Sequence, residues 1–184
     1  MSLLENISAA LKDAGFEHDP IQDGSLFQFL DEYDVPALSF ELSVSEYQTS
    51  AVTEFEVHQD YLGNGFGYIG LKHIAMSMIE QGVEEIDFME VERDGLTFWP
   101  KYGARPTSLD EFPLVLHAIM DDGLDETDDA DLREIFALAH DDPYSAWGML
   151  SAQNTESSRS VLSRVSERLA GGETMHMDLN HTEV

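Results

Sequence analysis

Three glycines alternate with other residues in the segment LGNGFG, Leu62–Gly67, between a strand-like run and an amphipathic run. The first amides of a helix have no intrahelical partner and carry partial positive charge, so they bind anions when no side chain blocks the approach. Gly63, Gly65 and Gly67 remove side chains where a helix is expected to begin. Tight turns also need glycine for conformational reasons, so a phosphate-binding turn and a purely structural turn both remain open.

Ionisable side chains alternate along the strand-like run before these glycines. Glu54, Glu56 and His58 are expected to project from one face of that strand, because side chains alternate between the two faces. Such a face could attract a cationic amine, and Glu56 is the candidate general base. A solvated strand face without a catalytic role is the alternative interpretation.

The elements that must position these residues are strands and helices in alternation, which predicts an α/β fold. A strand, the glycine turn, a helix and a second strand follow one another, which is the order of a crossover unit between parallel strands. The first predicted elements are a helix over residues 3–14, a short helix from Ser25 through Tyr33, and an antiparallel pair of strands over Ala37–Tyr47 and Val52–His58. A helix follows that packs through Leu71, Ile74, Ala75 and Met78 and ends at Gly82, and the last element is a strand over Glu85–Val91.

The second half of the chain has the apolar spacing of helices. The first of these helices spans Ser108–Met120, with Leu109, Phe112, Leu116 and Ile119 along one face; the others lie around Leu132–His140, Tyr144–Leu150 and Ser157–Ala170. Residues from Gly171 onward are typical of a loose tail. The sequence therefore predicts a core over residues 1–106, a helical extension over 107–170 and a flexible tail over 171–184.

Residues 52–106 resemble the core of the GNAT acetyltransferase superfamily. The runs VHQDYLGNGFG, QGVEEIDFMEV and GLTFWPKYGARP occur in that family's order, with Gly65 and Gly67 at its glycine turn. Phe98, Gly103 and Arg105 match its closing pattern. The resemblance implies a GNAT-like small mixed sheet with flanking helices, to which this chain adds a helical C-terminal extension.

The resemblance also implies acetyl-CoA as the acyl donor and direct attack of an amine on its thioester. By resemblance, Phe55, Glu56 and Val57 flank the thioester. The residues expected to cradle the pyrophosphate are Leu62, Gly63, Asn64, Gly65, Phe66 and Gly67. The chemistry needs a base, for which Glu56 is the candidate, and an acid for the leaving thiolate, for which Tyr102 is the candidate.

Two positions depart from the family's pattern. Leu62 stands where the family has arginine or glutamine, and Trp99 stands where it has the tyrosine that protonates the thiolate. An indole N–H can donate a hydrogen bond but has no accessible acid pKa. Two functions therefore stay open: an acyl-CoA-dependent N-acyltransferase, and a non-catalytic GNAT-like acidic protein that binds a basic protein or mimics DNA.

The net charge is −28, from 37 acidic and 9 basic residues. Such a field repels nucleic acid and anionic lipid, so neither direct nucleic-acid binding nor membrane binding is expected. Three explanations of the charge remain: a solubility coat in a salty cytoplasm, steering of a cationic amine or basic partner, and mimicry of nucleic acid. An exposed apolar face on the C-terminal helices would permit a homodimer.

The remaining features give negative expectations. The chain has no cysteine and no apolar run of the roughly 18 residues that span a membrane, so a cytoplasmic protein is expected. An EF-hand loop starting at Asp125 would place Ala130 and Phe136 where glycine and glutamate are needed. No metal site is predicted, and Asp128 or Asp129 is instead expected to cap the following helix.

Overall fold

The computed structural model describes residues 2–44, 49–89, 98–121, 130–153, 155–170 and 174–180. The chain divides into two compact units, Met1–Met89 with Asp178–Val184, and Glu90–Met177. This division falls near residue 89, whereas the sequence suggests a boundary near residue 106. Each unit has its own secondary structure and core.

The first unit contains two α-helices and five strands among its described residues. In chain order these are α1 (Leu3–Asp13), β1 (Asp19–Asp23), β2 (Leu26–Leu30), β3 (Pro36–Val44), β4 (Thr49–Val57), α2 (Phe66–Glu80) and β5 (Glu85–Met89), with a 3-10 turn over Gln59–Tyr61 before α2. Strands β1 to β4 pair antiparallel in sequence order, and β4 pairs parallel with β5. The predicted α/β fold with a mixed sheet is thereby confirmed.

Helix α2 connects the two parallel strands, as the strand–turn–helix–strand order predicts. The four residues predicted to form its packed face, Leu71, Ile74, Ala75 and Met78, are all buried. The helix ends at Glu80, and Gly82 follows in a left-handed conformation with φ +75°. Helix α1 also agrees with its predicted extent, and Ser2 and Glu5 form a reciprocal capping box at its start.

The short helix predicted from Ser25 through Tyr33 is wrong, because this segment forms β2. Phe27 and Phe29 are buried on alternate positions, and β2 pairs with β1 on one side and β3 on the other. The aromatic residues recur at every second position, which is the period of a strand, so the segment is a strand and not a helix. The turn-rich stretch before it forms strand β1, whose residues are exposed. Strand β1 lies at the edge of the sheet, where a proline such as Pro20 is tolerated.

The second unit is mostly helical. Its α-helices are α3 (Phe112–Asp121), α4 (Ala130–Ala139), α5 (Pro143–Ala152) and α6 (Glu156–Ala170), and a 3-10 turn spans Trp99–Tyr102. The predicted stripe of Leu109, Phe112, Leu116 and Ile119 is buried. None of the helices in the described residues of either unit is long and apolar enough to cross a membrane.

Two strands of the second unit lie far apart in the sequence. Strand β6 (Arg105–Pro106) pairs antiparallel with β7 (Thr174–Asp178). The sequence predicts a loose tail here, but Met175 and Met177 are buried, so residues 174–178 are ordered by packing and pairing. Val91 and the helix caps expected at Asp128 or Asp129 lie outside the described residues.

Candidate functional site

Strand β4 carries a bulge in the middle of its pairing with β3. Ser39 pairs with Glu56, and Glu41 pairs with Thr53. Two residues of β4 therefore lie between these pairs, opposite a single residue of β3. Glu54, inside this irregularity, has φ +49°, which is left-handed and rare for a residue with a side chain. Strained backbone of this kind costs about 1 to 3 kcal/mol and concentrates at functional sites.

The bulge coincides with the end of the parallel ladder between β4 and β5. Within the described residues, this ladder runs from the pair Thr49 and Glu85 to the pair Val52 and Phe88. Strand β4 continues to Val57, five residues beyond the last pair. The segment that follows the bulge is therefore the part of β4 whose backbone lies beyond the ladder with β5.

The residues predicted on this part of β4 have separate surroundings. Glu54 and Glu56 are exposed, while Phe55 and Val57 are half-buried. The Phe55 ring lies under α2, since a Cβ built on Gly70 would stand 3.2 Å from Phe55 Cζ. The half-buried Phe55 side chain thus packs against the helix.

The surroundings of His58 differ from those of the exposed Glu54 and Glu56. It is the N-cap of the 3-10 turn, where its Nδ1 accepts a hydrogen bond from the Asp60 amide at 3.4 Å. The Asp60 carboxylate lies 3.7 Å from the same Nδ1. His58 is therefore used in this turn, and the exposed carboxylates of this part of β4 are Glu54 in the bulge and Glu56 beside it.

The glycine turn follows at once. Gly63 and Gly65 have φ +83° and +81°, in the left-handed region that glycine adopts without steric cost. A Cβ built on either glycine meets nothing within 4 Å. The glycines therefore serve the backbone conformation, and open space surrounds them on the side where a Cβ would stand.

Helix α2 begins directly after Gly65. Gly65 is its N-cap and makes no side-chain hydrogen bond to the first turn. The amides of Phe66 and Gly67 occupy the first two helical positions, which have no intrahelical acceptor. A fifteen-residue helix with an uncapped start and a glycine-rich approach has the arrangement that binds phosphate oxygens.

The side chains around this turn form an aromatic cluster. Phe66 is buried, and its ring lies 4.8 Å from the Phe16 ring and 5.8 Å from the Tyr61 ring. Tyr61 and Phe16 also contact each other at 5.2 Å. Of the predicted phosphate-binding residues, Phe66 and Gly67 are buried, and residues 62–65 are exposed. Leu62 among them is 61% exposed.

Tyr61 is also tied to the loop between β2 and β3. Its hydroxyl donates to Asp31 Oδ2 at 2.5 Å. Asp31 Oδ1 accepts from the amides of Tyr33 at 2.8 Å and Val35 at 3.0 Å. The bond from Tyr61, followed by those from the backbone, lowers the pKa of Asp31, and the same bond raises the pKa of Tyr61 to about 12.

The charge around the turn differs from that of the rest of the chain. No acidic residue occurs from Tyr61 to Ile79, although 37 of the 184 residues are acidic. Lys72 lies in this acid-free segment, and its Nζ stands 5.9 Å from the centre of the Tyr68 ring, in the first turn of α2. Burial and the neighbouring Lys72 lower the pKa of His73. This segment thus adds no carboxylate of its own, while Asp31, Glu32 and Asp60 face Tyr61 at the base of the turn.

The remaining predicted site residue belongs to the second unit. Tyr102 ends the 3-10 turn Trp99–Tyr102 and is half-buried, with its ring 5.0 Å from the Phe98 ring. Trp99 is buried, and its ring contacts Phe98 at 4.8 Å. The assignment of Tyr102 as an acid stays a prediction. Among the described residues, no three His, Asp or Glu side chains lie close enough together to hold a metal ion.

The sequence reasoning missed two features of this site. Asp31 lies thirty positions before Tyr61, so their contact has no local spacing signal. The sequence DEYD with Asp31 first is nevertheless typical of a turn in which an aspartate accepts from amides further along. The left-handed Glu54 has no signal at all, because glycine or asparagine would normally mark such a position.

Comparisons with known proteins give distant likenesses. No protein-family model matches the sequence, and no curated protein matches it. A GNAT acetyltransferase structure from Staphylococcus aureus is 16% identical, with a TM-score of 0.41, over 58% of this chain and 78% of that chain. A GNAT acetyltransferase from Elizabethkingia anophelis, solved with acetyl-CoA bound, is 16% identical, with a TM-score of 0.39, over 45% of this chain and 55% of that chain.

A third likeness extends over most of the chain. A Mycobacterium tuberculosis protein, solved in complex with CoA, is 10% identical, with a TM-score of 0.42, over 95% of this chain and 93% of that chain. Solved structures of GNAT acetyltransferases thus resemble this chain. Identities of 10 to 16% and TM-scores of 0.39 to 0.42 are too low to assign the chain to a family.

Proposed function

We propose that this protein is an acyl-CoA-dependent N-acyltransferase, with acetyl-CoA as donor and a cationic amine as acceptor. The observation that carries the proposal is the continuous arrangement from the bulge at Glu54, along the end of β4, to the glycine turn and the uncapped start of α2. A strand edge followed by a phosphate-binding helix start suits a ligand with a long arm and a pyrophosphate.

The residues of the turn fit this ligand. Residues 62–65 are exposed and open space lies beside Gly63 and Gly65, so phosphate oxygens have room on this side of the helix start, whereas Phe66 and Gly67 are buried. Lys72 adds positive charge near the first turn of the helix. When bound, acetyl-CoA would supply an acetyl thioester that an amine can attack. The backbone of β4 after the bulge would align the arm of the ligand.

Glu56 is the candidate base for this reaction. Its carboxylate is exposed one position after Phe55, on the part of β4 that continues beyond the ladder with β5. A cationic amine must lose one proton before its nitrogen can attack and a second after the new C–N bond forms, and a carboxylate oxygen of Glu56 can accept the first directly or through one water. The second offsets the proton that the leaving thiolate takes up. Tyr102 remains the candidate acid for the leaving thiolate.

The charge of the protein supports a cationic acceptor. A net charge of −28 raises the local concentration of cations and speeds their encounter at low salt. The same field opposes the approach of acetyl-CoA, and the acid-free segment from Tyr61 to Ile79 adds no carboxylate to it. Acceptor and donor would therefore respond to salt in opposite directions.

The test is a calorimetric titration of acetyl-CoA into the full chain, at low salt and again at high salt. Saturable binding that strengthens with salt is expected, because screening reduces repulsion between the ligand and the acidic surface. Gly65→Val should abolish most of this binding, since valine is strained at φ +81° and blocks the approach to the helix start.

Gly24→Val is the matched control. Gly24 also has a positive φ, +60°, and open space around it, but it lies in the turn between β1 and β2. It should lower stability as Gly65→Val does and leave the affinity for acetyl-CoA unchanged. Equal loss of binding in both variants, or no binding by the wild type at either salt, would contradict the proposal.

A second candidate function rests on Leu62. Its exposed side chain offers no polar group where the GNAT pattern has arginine or glutamine. Together with the net charge, this favours a non-catalytic protein that binds a basic protein partner or mimics DNA. A wild type that binds no acetyl-CoA at either salt would favour this second function.

A further inference from the structure

The loop Leu62–Gly65 is closed at its base by two stacked rings. Tyr61 precedes the loop and Phe66 follows it, and their rings lie 5.8 Å apart with an angle of 20° between their planes. Both rings also contact Phe16, so the two ends of the loop share one support. Within the loop, the Asn64 amide donates to Tyr61 O at 3.3 Å, and nothing lies within 4 Å of a Cβ built on Gly63 or Gly65.

The support is fixed in turn by Asp31. This residue begins a tight turn in which its amide donates to Val35 O at 2.9 Å and its carbonyl accepts from the Asp34 amide at 3.1 Å. One carboxylate oxygen of Asp31 accepts from two backbone amides, and the other accepts from the Tyr61 hydroxyl. The carboxylate is therefore held by its own turn independently of Tyr61, which makes it a rigid anchor.

We propose that Asp31 and Tyr61 are positioning residues that hold the glycine turn in the conformation that binds phosphate. This inference rests on the proposed function, because it assigns a role in binding acetyl-CoA at the same turn. The physical reason is that glycines populate many conformations, and a ligand that needs one of them binds in proportion to its population. A bond between a hydroxyl and a carboxylate at the edge of the loop raises that population.

Tyr61→Phe is the variant that isolates this bond. Phenylalanine keeps the ring that contacts Phe16 and Phe66 and removes only the hydroxyl that reaches Asp31. Tyr33→Phe is the matched control, because Tyr33 is in the same β2–β3 loop and is 75% exposed, and only its backbone amide contacts Asp31. Both variants lose one phenolic hydroxyl, and only one of them loses the anchor.

The first measurement is hydrogen–deuterium exchange of the amides of residues 62–68 in the free protein. Tyr61→Phe should exchange these amides several-fold faster than the wild type while the core of α2 is unchanged, because the turn samples more conformations. Tyr33→Phe should exchange like the wild type. Unchanged exchange in Tyr61→Phe overturns the inference even when acetyl-CoA binds tightly.

The second measurement separates positioning from general destabilisation. Acetyl-CoA and acetyl-pantetheine, which lacks the pyrophosphate, are titrated into the same three proteins. Tyr61→Phe should weaken acetyl-CoA binding by about fivefold, because fewer molecules hold a competent turn. Binding of acetyl-pantetheine should not change. Equal weakening of both ligands would indicate a merely structural role and would overturn the inference.

Asp31→Asn provides a second route to the same result. Asparagine keeps an acceptor for the two backbone amides and can donate to the Tyr61 oxygen, so an effect smaller than that of Tyr61→Phe is expected. A wild type that binds no acetyl-CoA would refute the proposed function. The exchange experiment alone would then decide whether Asp31 and Tyr61 order the turn.

Discussion

Two regions of this molecule use the same local device in different surroundings. In each unit a short 3-10 turn is followed by glycine in a left-handed conformation. These glycines are Gly63 and Gly65 in the first unit and Gly103 in the second. After Gly103 the backbone groups have protein partners. Ala104 is fully buried, its amide donates to Trp99 O, and its carbonyl accepts from Trp147 Nε1 at 3.1 Å. After Gly65, Phe66 and Gly67 are also buried, but they begin helix α2, whose N-cap makes no side-chain hydrogen bond.

The difference shows that a left-handed glycine has no function of its own. In the second unit it reverses the chain so that neighbouring backbone groups find protein partners, which stabilises the fold. In the first unit it leads into the first turn of α2, which has no side-chain cap, and aromatic rings and the bond from Tyr61 to Asp31 lie beside it. Surroundings therefore decide whether the same kind of turn is closed by protein partners or leads into an uncapped helix.

The largest expected effect tests the structural turn of the second unit. Trp147→Phe removes the donor to the buried Ala104 carbonyl and part of a ring that packs 5.7 Å from Phe112. We expect a loss of about 2 to 4 kcal/mol in the free energy of unfolding, measured with urea. Tyr144→Phe is the control, since Tyr144 is exposed and its ring can still contact Arg105.

A matched pair of glycine variants tests the comparison itself. Gly65→Ala and Gly103→Ala each place a side chain at a strongly positive φ, +81° and +92°. Each should lower the free energy of unfolding by about 1 to 2 kcal/mol, because left-handed backbone is strained for alanine. Only Gly65→Ala should weaken acetyl-CoA binding, measured by calorimetry. Loss of binding in both variants would remove the distinction between the two turns.

The anchor of the first turn has a characteristic pH dependence. The lowered pKa of Asp31 means that its contribution to stability is present at neutral pH and is lost as the pH falls below the usual aspartate range, about 4. The pKa of Tyr61, raised to about 12, means that its contribution is complete below about pH 10 and is lost as the pH rises toward 12.

The stability difference between wild type and Tyr61→Phe should therefore be constant from about pH 5 to pH 10 and shrink on both sides. Urea unfolding at a series of pH values measures it. The charged groups that face this pair are Asp60, Glu32 and His58, and they are the same in both proteins. A difference that grows in acid would contradict the assignment of the bond to an ionised Asp31.

The smallest effect concerns the charge beside the first turn. Burial and, second, the charge of Lys72 lower the pKa of His73. Lys72→Gln removes the second cause and leaves the first, so the pKa of His73 should rise but stay below its ordinary value. An NMR titration of the imidazole measures the change. Lys12→Gln, on α1, should have no effect, and an equal shift in both variants would indicate a general change in surface charge.

Much of the first unit could be predicted from the sequence because its signals are periodic. The apolar spacing from Leu71 to Met78 predicts the buried face of α2, and the alternation in β3 and β4 predicts their antiparallel pairing. The glycines predict the turn at the helix start. These patterns depend on local geometry, which neighbouring residues determine.

Other features depend on contacts that neighbouring residues do not reveal. The segment from Ser25 through Tyr33 suggests a capped helix, but pairing with β1 and β3 makes it a strand. The buried methionines of β7 occur in a segment with a glycine-rich, polar composition. The bond between Asp31 and Tyr61 and the left-handed Glu54 arise from tertiary structure, so the sequence could predict the glycine turn but not the contacts that surround it.

The pairing of β6 with β7 has a consequence for the order of folding. Arg105 and His176 pair across 71 positions, from 105 to 176, and the four helices α3 to α6 lie between them. Closing so long a loop costs entropy that local contacts must first offset, so the helices should assemble before the two strands meet. Substitutions in Met175 or Met177 should then accelerate unfolding while leaving the refolding rate almost unchanged.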